Sequence, residues 1–258
     1  MYDTQHTIMK VLVITIINFT KILLNKISRV IFSITPNEFY FKEHTYHGIT
    51  SHLKKKIVEN LVNETFENFK EHFKKSLIIE TENNIREYAI KTSLLNDKNV
   101  ENYYLEFGVY TGGSTNLFSK YVKKFYAFDS FEGLKEDWVG EALPKGHFNL
   151  NKKIPKLNSN VEPIVGWVED TLEDFLKQHN PKINFVHFDM DTYSPTKFTL
   201  KRIKPYLAKD AIIIFDEFYN FFGWEHGEYK AFNEVFKKEE FEYKAFRING
   251  TICVIQIK

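Results

Sequence analysis

The stretch Glu106-Phe107-Gly108-Val109-Tyr110-Thr111-Gly112-Gly113-Ser114 decides how this chain is read. Tyr103 to Val109 is a short, mostly apolar run of strand length. It meets a glycine-rich turn, and helical spacing resumes from about Ser114 to Val122. Strand, glycine turn and helix in that order form half of a βα unit, with the glycines letting backbone approach a ligand closely. In an open α/β sheet such turns lie at the carboxyl ends of the strands, where ligands bind at the topological switch point.

The same alternation continues downstream. Phe125 to Phe128 reads as a strand ending in Asp129, and Val161 to Val165 as a third ending at Gly166, with a helix over about 170–178. Ile183 to Phe188 is a fourth, with a helix over about 195–207, and Ala211 to Phe215 a fifth, with a helix over about 226–238. Asn249-Gly250 separates two apolar runs, Phe241 to Ile248 and Thr251 to Ile257, which is a hairpin signal. Five βα units and a hairpin predict a doubly wound, mostly parallel sheet of seven strands, one of them antiparallel, with helices on both faces. Upstream, residues 54–76 and about 83–95 carry helical spacing, and residues 37–51 read as an irregular aromatic and histidine-rich linker. The organisation expected is an N-terminal helical extension, 1–80, and a main domain, 81–258. His44, His47 and His52 lack the cysteines or ordered spacing of a zinc site and are read as solvated or packed.

Bulk composition narrows the function. The chain has 258 residues, 43% hydrophobic, enough for a sizeable core. With 35 basic and 34 acidic residues the net charge is +1, so the basic excess of a nucleic-acid binder is missing. The single cysteine, Cys253, lies in an apolar run and reads as a buried thiol. It leaves no disulfide within the chain, which fits a reducing, cytoplasmic compartment. Ile8 to Ile34 is apolar but broken, its longest charge-free core being Val11 to Thr20, whereas a membrane span needs about 20 residues. Lys10, Asn18, Lys21, Asn25, Ser28 and Arg29 share one helical arc of roughly 100°. That segment reads either as a helix packed on the main domain or a sister subunit, giving a homo-oligomer, or as a basic helix in peripheral contact with the inner membrane surface.

Chemistry concentrates at the strand ends. Asp129, ending the second strand, stands where a carboxylate accepts ribose hydroxyls. The glycine spacing is not G-x-G-x-x-G and no P-loop is present, so a nucleoside ligand without a dinucleotide cradle is expected. His187-Phe188-Asp189-Met190-Asp191 and Phe215-Asp216-Glu217 bring four carboxylates to neighbouring tips. Carboxylates that close repel unless a cation or protons sit among them. Oxygen ligands suit Mg²⁺ or a similar hard ion. Loop 135–158, with Trp138, His147, Lys152 and Lys153, and Tyr219 to Glu228, with Trp224 and His226, are the expected walls of an acceptor site. The lysines point to an anionic acceptor. Asp189-x-Asp191 also permits a metal-dependent glycosyltransferase, and a non-catalytic, membrane-associated binding protein is a third reading.

Residues 84–258 resemble the class I S-adenosylmethionine-dependent methyltransferases, specifically the macrocin O-methyltransferase-like group. The resemblance rests on the glycine-turn motif, on Phe128-Asp129-Ser130-Phe131-Glu132-Gly133-Leu134, on His187 to Thr196 and on Phe215-Asp216-Glu217-Phe218. It implies a Rossmann-like fold and S-adenosyl-L-methionine as cofactor. Glu106, Gly108, Gly112 and Ser114 would face its methionine end, Asp129 its ribose with Ser130 and Phe131 nearby, and Gly166 and Trp167 its adenine, with Asp189 also within reach. It further implies Mg²⁺ on Asp189, Asp216 and Glu217, Asp191 as general base, and a hydroxyl of a sugar or glycan-type small molecule as acceptor.

Overall fold

The computed structural model describes residues 20, 23–24, 48–97 and 102–258, with side chains from residue 53 onward in the helix that opens at Gly48. Apart from Thr20, Leu23 and Leu24, the apolar segment 8–34 lies outside the described residues, as do His44 and His47. Among the described residues no helix is long and apolar enough to cross a membrane. The chain divides into two compact units, residues 1–60 and 61–258.

Helix α1 is Gly48–Phe73, followed by strand β1, Leu77–Ile79, and helix α2, Glu82–Asn96. The alternating part runs β2 (Tyr103–Phe107), α3 (Gly113–Phe118), β3 (Phe125–Asp129), β4 (Val161–Val165), α4 (Val168–His179), β5 (Ile183–Phe188), α5 (Tyr193–Ile203), β6 (Leu207–Phe215) and α6 (Glu228–Val235). The hairpin strands are β7 (Phe241–Arg247) and β8 (Cys253–Ile257). All enter one sheet in the order β1-β7-β8-β6-β5-β2-β3-β4. Every pairing is parallel except those of β8, which inserts antiparallel between β6 and β7.

The doubly wound architecture is as expected, with eight strands rather than seven. The added strand is β1, paired in parallel with β7 through Leu77 and Ala245. Leu77 and Ile78 are exposed, so β1 lacks the apolar burial that marks an inner strand. Thr81 caps α2, its hydroxyl accepting from Asn84 N–H at 3.3 Å.

Alternation along the strands sorts the side chains to two faces. Leu105, Phe107, Val186, Phe188, Ile213 and Phe215 join the core under α4, α5 and α6. Tyr104, Phe185, Ile212 and Ile214 join the core under α2 and α3, with Ile85, Ala89, Ile90 and Phe118. The last turns of α1 deliver Phe69 to the first core, its ring 5.5 Å from Phe246 and 5.6 Å from Trp224. Buried Cys253 belongs there too, as its apolar setting implies.

One row of rings fixes the strand ends. Phe128, Phe107, Phe188 and Phe215 are register partners across β3, β2, β5 and β6. Their rings stack at 4.7, 5.5 and 5.0 Å. Stacked aromatic pairs contribute roughly 0.5–1.5 kcal/mol each beyond their burial. The row stands one residue before Asp129, Asp189 and Asp216.

Candidate active site

The first βα turn is shaped by a contact no side chain could share. Gly108 has φ +93°, and a Cβ there would lie 1.7 Å from the carbonyl oxygen of Asp189. Gly112 takes φ +79° as the residue preceding α3, with Leu157 beside it. Asp129 then ties the turn down. Its Oδ2 accepts from the main-chain N–H of Val109 at 2.8 Å and of Tyr110 at 2.9 Å, and its Oδ1 from that of Phe131 at 2.7 Å. A carboxylate has about four acceptor positions, so three are used and one remains for a ligand hydroxyl.

Beside this turn lies a cavity of about 230 Å³. Gly108, Asp129, Ser130, Gly166, Trp167, Asp189, Asp191 and Glu217 line it. Glu106, Gly112, Ser114, Phe131 and Asp216 are not in its wall. Lining residues that the motifs did not single out include Tyr110, Lys135, Phe148 and Met190. Lys135 sits 5.4 Å over the Trp167 ring and pairs with Glu169 at 2.8 Å. Tyr110 and Phe148 meet edge to face at 5.2 Å.

A second cavity of about 220 Å³ abuts the first. Trp138, Asp191 and Thr192 line both, and Glu136, Asp137, Val139, Tyr193, His226 and Gly227 complete the second. Glu136 anchors its covering loop on the start of α5, accepting from Ser194 N–H at 2.9 Å and from its hydroxyl at 2.8 Å. A Cβ at Gly140 would lie 1.6 Å from the carbonyl oxygen of Phe222, so this loop packs backbone to backbone on the segment after β6. Of the residues expected to wall an acceptor site, Trp138 and His226 line this second cavity. Trp224 is core, 2% exposed and packed on Phe69 and Tyr229. Lys152 is exposed and pairs with Glu132 at 3.3 Å. Neither it, Lys153 nor His147 lines either cavity.

Below the acids runs a buried polar chain. Glu106 and His187 are register partners on the α2–α3 face, and Asp216 follows β6 on that side. His187 joins Glu106 through Nδ1 at 2.7 Å and Asp216 through Nε2 at 3.3 Å. Thr115 donates to the other oxygen of Glu106. Arg86, from α2, donates to Asp216 Oδ1 at 2.6 Å and is itself braced by Glu82. Burial would lower the His187 pKa, but the hydrogen bonds to Asp216 and Glu106 prevail and hold it up to about 9. Burial would raise Asp216, yet His187 and Arg86 hold it below the usual carboxylate range.

The remaining acids behave oppositely. Asp189, Asp191 and Glu217 each offer an oxygen within 4.8 Å of the others, while Asp216 groups with Asp189 and His187. Burial, reinforced by neighbouring carboxylates, pushes Asp189 and Glu217 well up and Asp191 up to about 7. Asp191 sits at φ +62°, a left-handed backbone that costs a non-glycine residue on the order of 1–3 kcal/mol. Both nitrogens of His187 are occupied, so the open donor set is carboxylate oxygen. Glu217 Oε2 is buried and without a partner. Hard oxygen donors with an unsatisfied buried atom among them fit a hard divalent ion.

Comparison with known proteins agrees with this geometry. Residues 105–218 match the family model described as a methyltransferase domain. Over these residues the chain carries a methyltransferase domain. Among solved structures, that of CalS11, a calicheamicin methyltransferase, is similar with a TM-score of 0.56 at 20% identity, over 86% of this chain and 97% of that one. The apo structure of CalS11, described as a TDP-rhamnose 3'-O-methyltransferase, gives a TM-score of 0.50 at 20% identity, over 67% and 77%. Among curated protein sequences no match is found. A methyltransferase domain argues against the glycosyltransferase reading of Asp189-x-Asp191.

Proposed function

We propose that this methyltransferase acts on a hydroxyl of a sugar or glycan-type acceptor, with a divalent cation assisting. The observation that carries the reading is the position of Asp191, whose residue lines both cavities. The glycine turn, Asp129 and Trp167 bind the methyl donor in the first cavity. The acceptor enters the second, where the indole of Trp138 and the carboxylate of Glu136 suit the apolar face and hydroxyls of a sugar ring. CalS11, of the same fold, is described as acting on TDP-rhamnose.

When bound, S-adenosylmethionine supplies a sulfonium methyl, so a C–O bond forms at the acceptor as the C–S bond breaks and S-adenosylhomocysteine leaves. Asp191 takes the hydroxyl proton, a contribution typically worth roughly 10²–10⁴-fold. Holding the two reactants in line contributes up to roughly 7–11 kcal/mol. Asp189 and Glu217, with Asp216 behind them, would hold Mg²⁺, which lowers the pKa of a coordinated hydroxyl. Asp216 is fixed by Arg86 and His187, so the set keeps its shape during the reaction.

Calorimetry with S-adenosylhomocysteine tests the donor half, and saturable binding is expected. Incubation of the enzyme and S-adenosylmethionine with fractionated glycan and nucleotide-sugar extracts, with and without Mg²⁺, tests the acceptor half. The expected product is heavier by one CH₂ and forms only with the ion. Products on nitrogen or carbon alone, or equal yield in chelator, would refute this assignment.

A further inference from the structure

We propose that Glu228, the first residue of α6, is a positioning carboxylate behind the cation site, orienting Glu217 within it. This inference rests on the reading of Asp189 and Glu217, with Asp216 behind them, as that site. Three observations place Glu228 there. Its side chain is fully buried. Its Oε2 accepts from the main-chain N–H of Glu217 at 3.3 Å, which fixes the backbone carrying an open carboxylate. Gly227, just before it, approaches so closely that a Cβ would lie 3.3 Å from the carbonyl oxygen of Asp191. The start of α6 is therefore wedged between the two open acids.

The second oxygen of Glu228, Oε1, is buried and has no hydrogen-bond partner. So is Oε2 of Glu217. Two neighbouring carboxylates that each bury an unsatisfied oxygen are costly in a metal-free protein, because burial without a partner leaves the desolvation penalty uncompensated. A helix N-terminus favours negative charge but supplies no counter-ion. A cation held by Asp189 and Glu217 would offset the charge of Glu228 as well. Glu228 thus orients Glu217 and adds one negative charge behind it.

Titration of the purified, metal-free full chain with Mn²⁺, followed by electron paramagnetic resonance, tests this beside calorimetry with S-adenosylhomocysteine. Glu228→Gln should weaken Mn²⁺ binding by about tenfold or more and leave S-adenosylhomocysteine affinity as it was. The same substitution should shrink the rise in Tm that Mn²⁺ brings, whereas a merely structural residue would move Tm equally with and without the ion. Should Glu228→Gln fail to bind S-adenosylhomocysteine, Glu228→Met, apolar and of similar volume, repeats the test. Unchanged Mn²⁺ affinity in a variant that still binds S-adenosylhomocysteine overturns the role of Glu228 alone. No Mn²⁺ uptake by the parent protein overturns the cation site itself, and this inference with it.

Discussion

At the tips of β2 and β3 one carboxylate, Asp129, is satisfied by three main-chain N–H groups. At the tips of β5 and β6, one strand further along the sheet, Asp216 is paired from beneath by Arg86 and His187 while Glu217 buries an oxygen with no partner. The first region is complete as the chain folds. The second is complete only underneath, and its open face waits on protons or an ion. The contrast follows from which groups each turn can reach. The glycine turn bends its own N–H groups onto Asp129, whereas the acids after β5 and β6 face one another. A methyl donor needs a preformed cradle, and deprotonating a hydroxyl needs a group whose charge is poised.

Asp191→Asn strikes hardest at the open region. Asparagine tolerates the left-handed backbone that residue 191 occupies, so the fold and the affinity for S-adenosylhomocysteine should persist. Turnover should fall by roughly 10²–10⁴-fold, measured as methyl transfer at saturating donor. Normal turnover would remove Asp191 from the role of base and erase the functional side of the contrast.

Gly108→Ala tests the preformed region. A methyl group there meets the Asp189 carbonyl oxygen at 1.7 Å and φ is +93°. The two regions touch at this point, so both should be disturbed. Destabilisation of more than ~3 kcal/mol, read from urea midpoints, is expected, with loss of S-adenosylhomocysteine binding. A variant as stable as the parent would mean the strand tips can part without cost.

Gly108, Asp129 and the paired acids were legible in the sequence because each belongs to a strand end, and strand ends in a parallel sheet share one edge. That logic stops where tertiary contact takes over. Arg86 lies in a helix readable only as apolar spacing, and it reaches Asp216 because α2 packs on the face where residues 106, 187 and 216 emerge. Glu228 looks like any acid at a helix start until α6 folds back between Asp191 and Glu217. Trp224 resembled a wall residue because it lies in a loop, yet Phe69, far upstream, turns it into core. Strand β1 is three residues long, and its pairing depends on a partner near the C-terminus.

The pH dependence of stability sharpens the comparison next. Asp191 is raised from 3.8 to about 7, and a raised acid contributes stability present at low pH and lost as pH climbs through that window. Asp189, Glu217 and Glu228 are raised too and act in the same direction. His187, raised from 6.5 to about 9, adds stability that is full below 6.5 and lost by about 9. Asp216 is lowered, so its contribution is constant above the ordinary carboxylate range. Metal-free protein should therefore lose stability from about pH 4 to 9, on the order of a few kcal/mol, in urea midpoints. Mg²⁺ should restore most of it near neutrality. A flat profile would show that the open acids are as satisfied as Asp129.

Asp129→Asn comes next in size. The amide keeps one acceptor oxygen and turns an NH₂ toward main-chain donors, so at least one of three hydrogen bonds is lost. A charged hydrogen bond contributes about 1.5–3 kcal/mol, so S-adenosylhomocysteine should bind about ten- to a hundredfold more weakly, with Mn²⁺ affinity unchanged. If Mn²⁺ binding falls in step, the two regions are one coupled site.

The smallest effect is expected where the preformed region meets solvent. Lys135 covers the Trp167 ring at 5.4 Å and holds Glu169, but its side chain is substantially exposed. An exposed cation over an indole contributes about 0.5–1 kcal/mol. Lys135→Ala should therefore weaken S-adenosylhomocysteine binding only about two- to fivefold by calorimetry, and should leave the Mn²⁺ titration untouched. A loss as large as that of Asp129→Asn would mean that Trp167 is not held by the fold around it and that the cradle closes only when Lys135 clamps the ring. The first region would then share the incompleteness of the second, with a mobile ring in place of an unpaired charge.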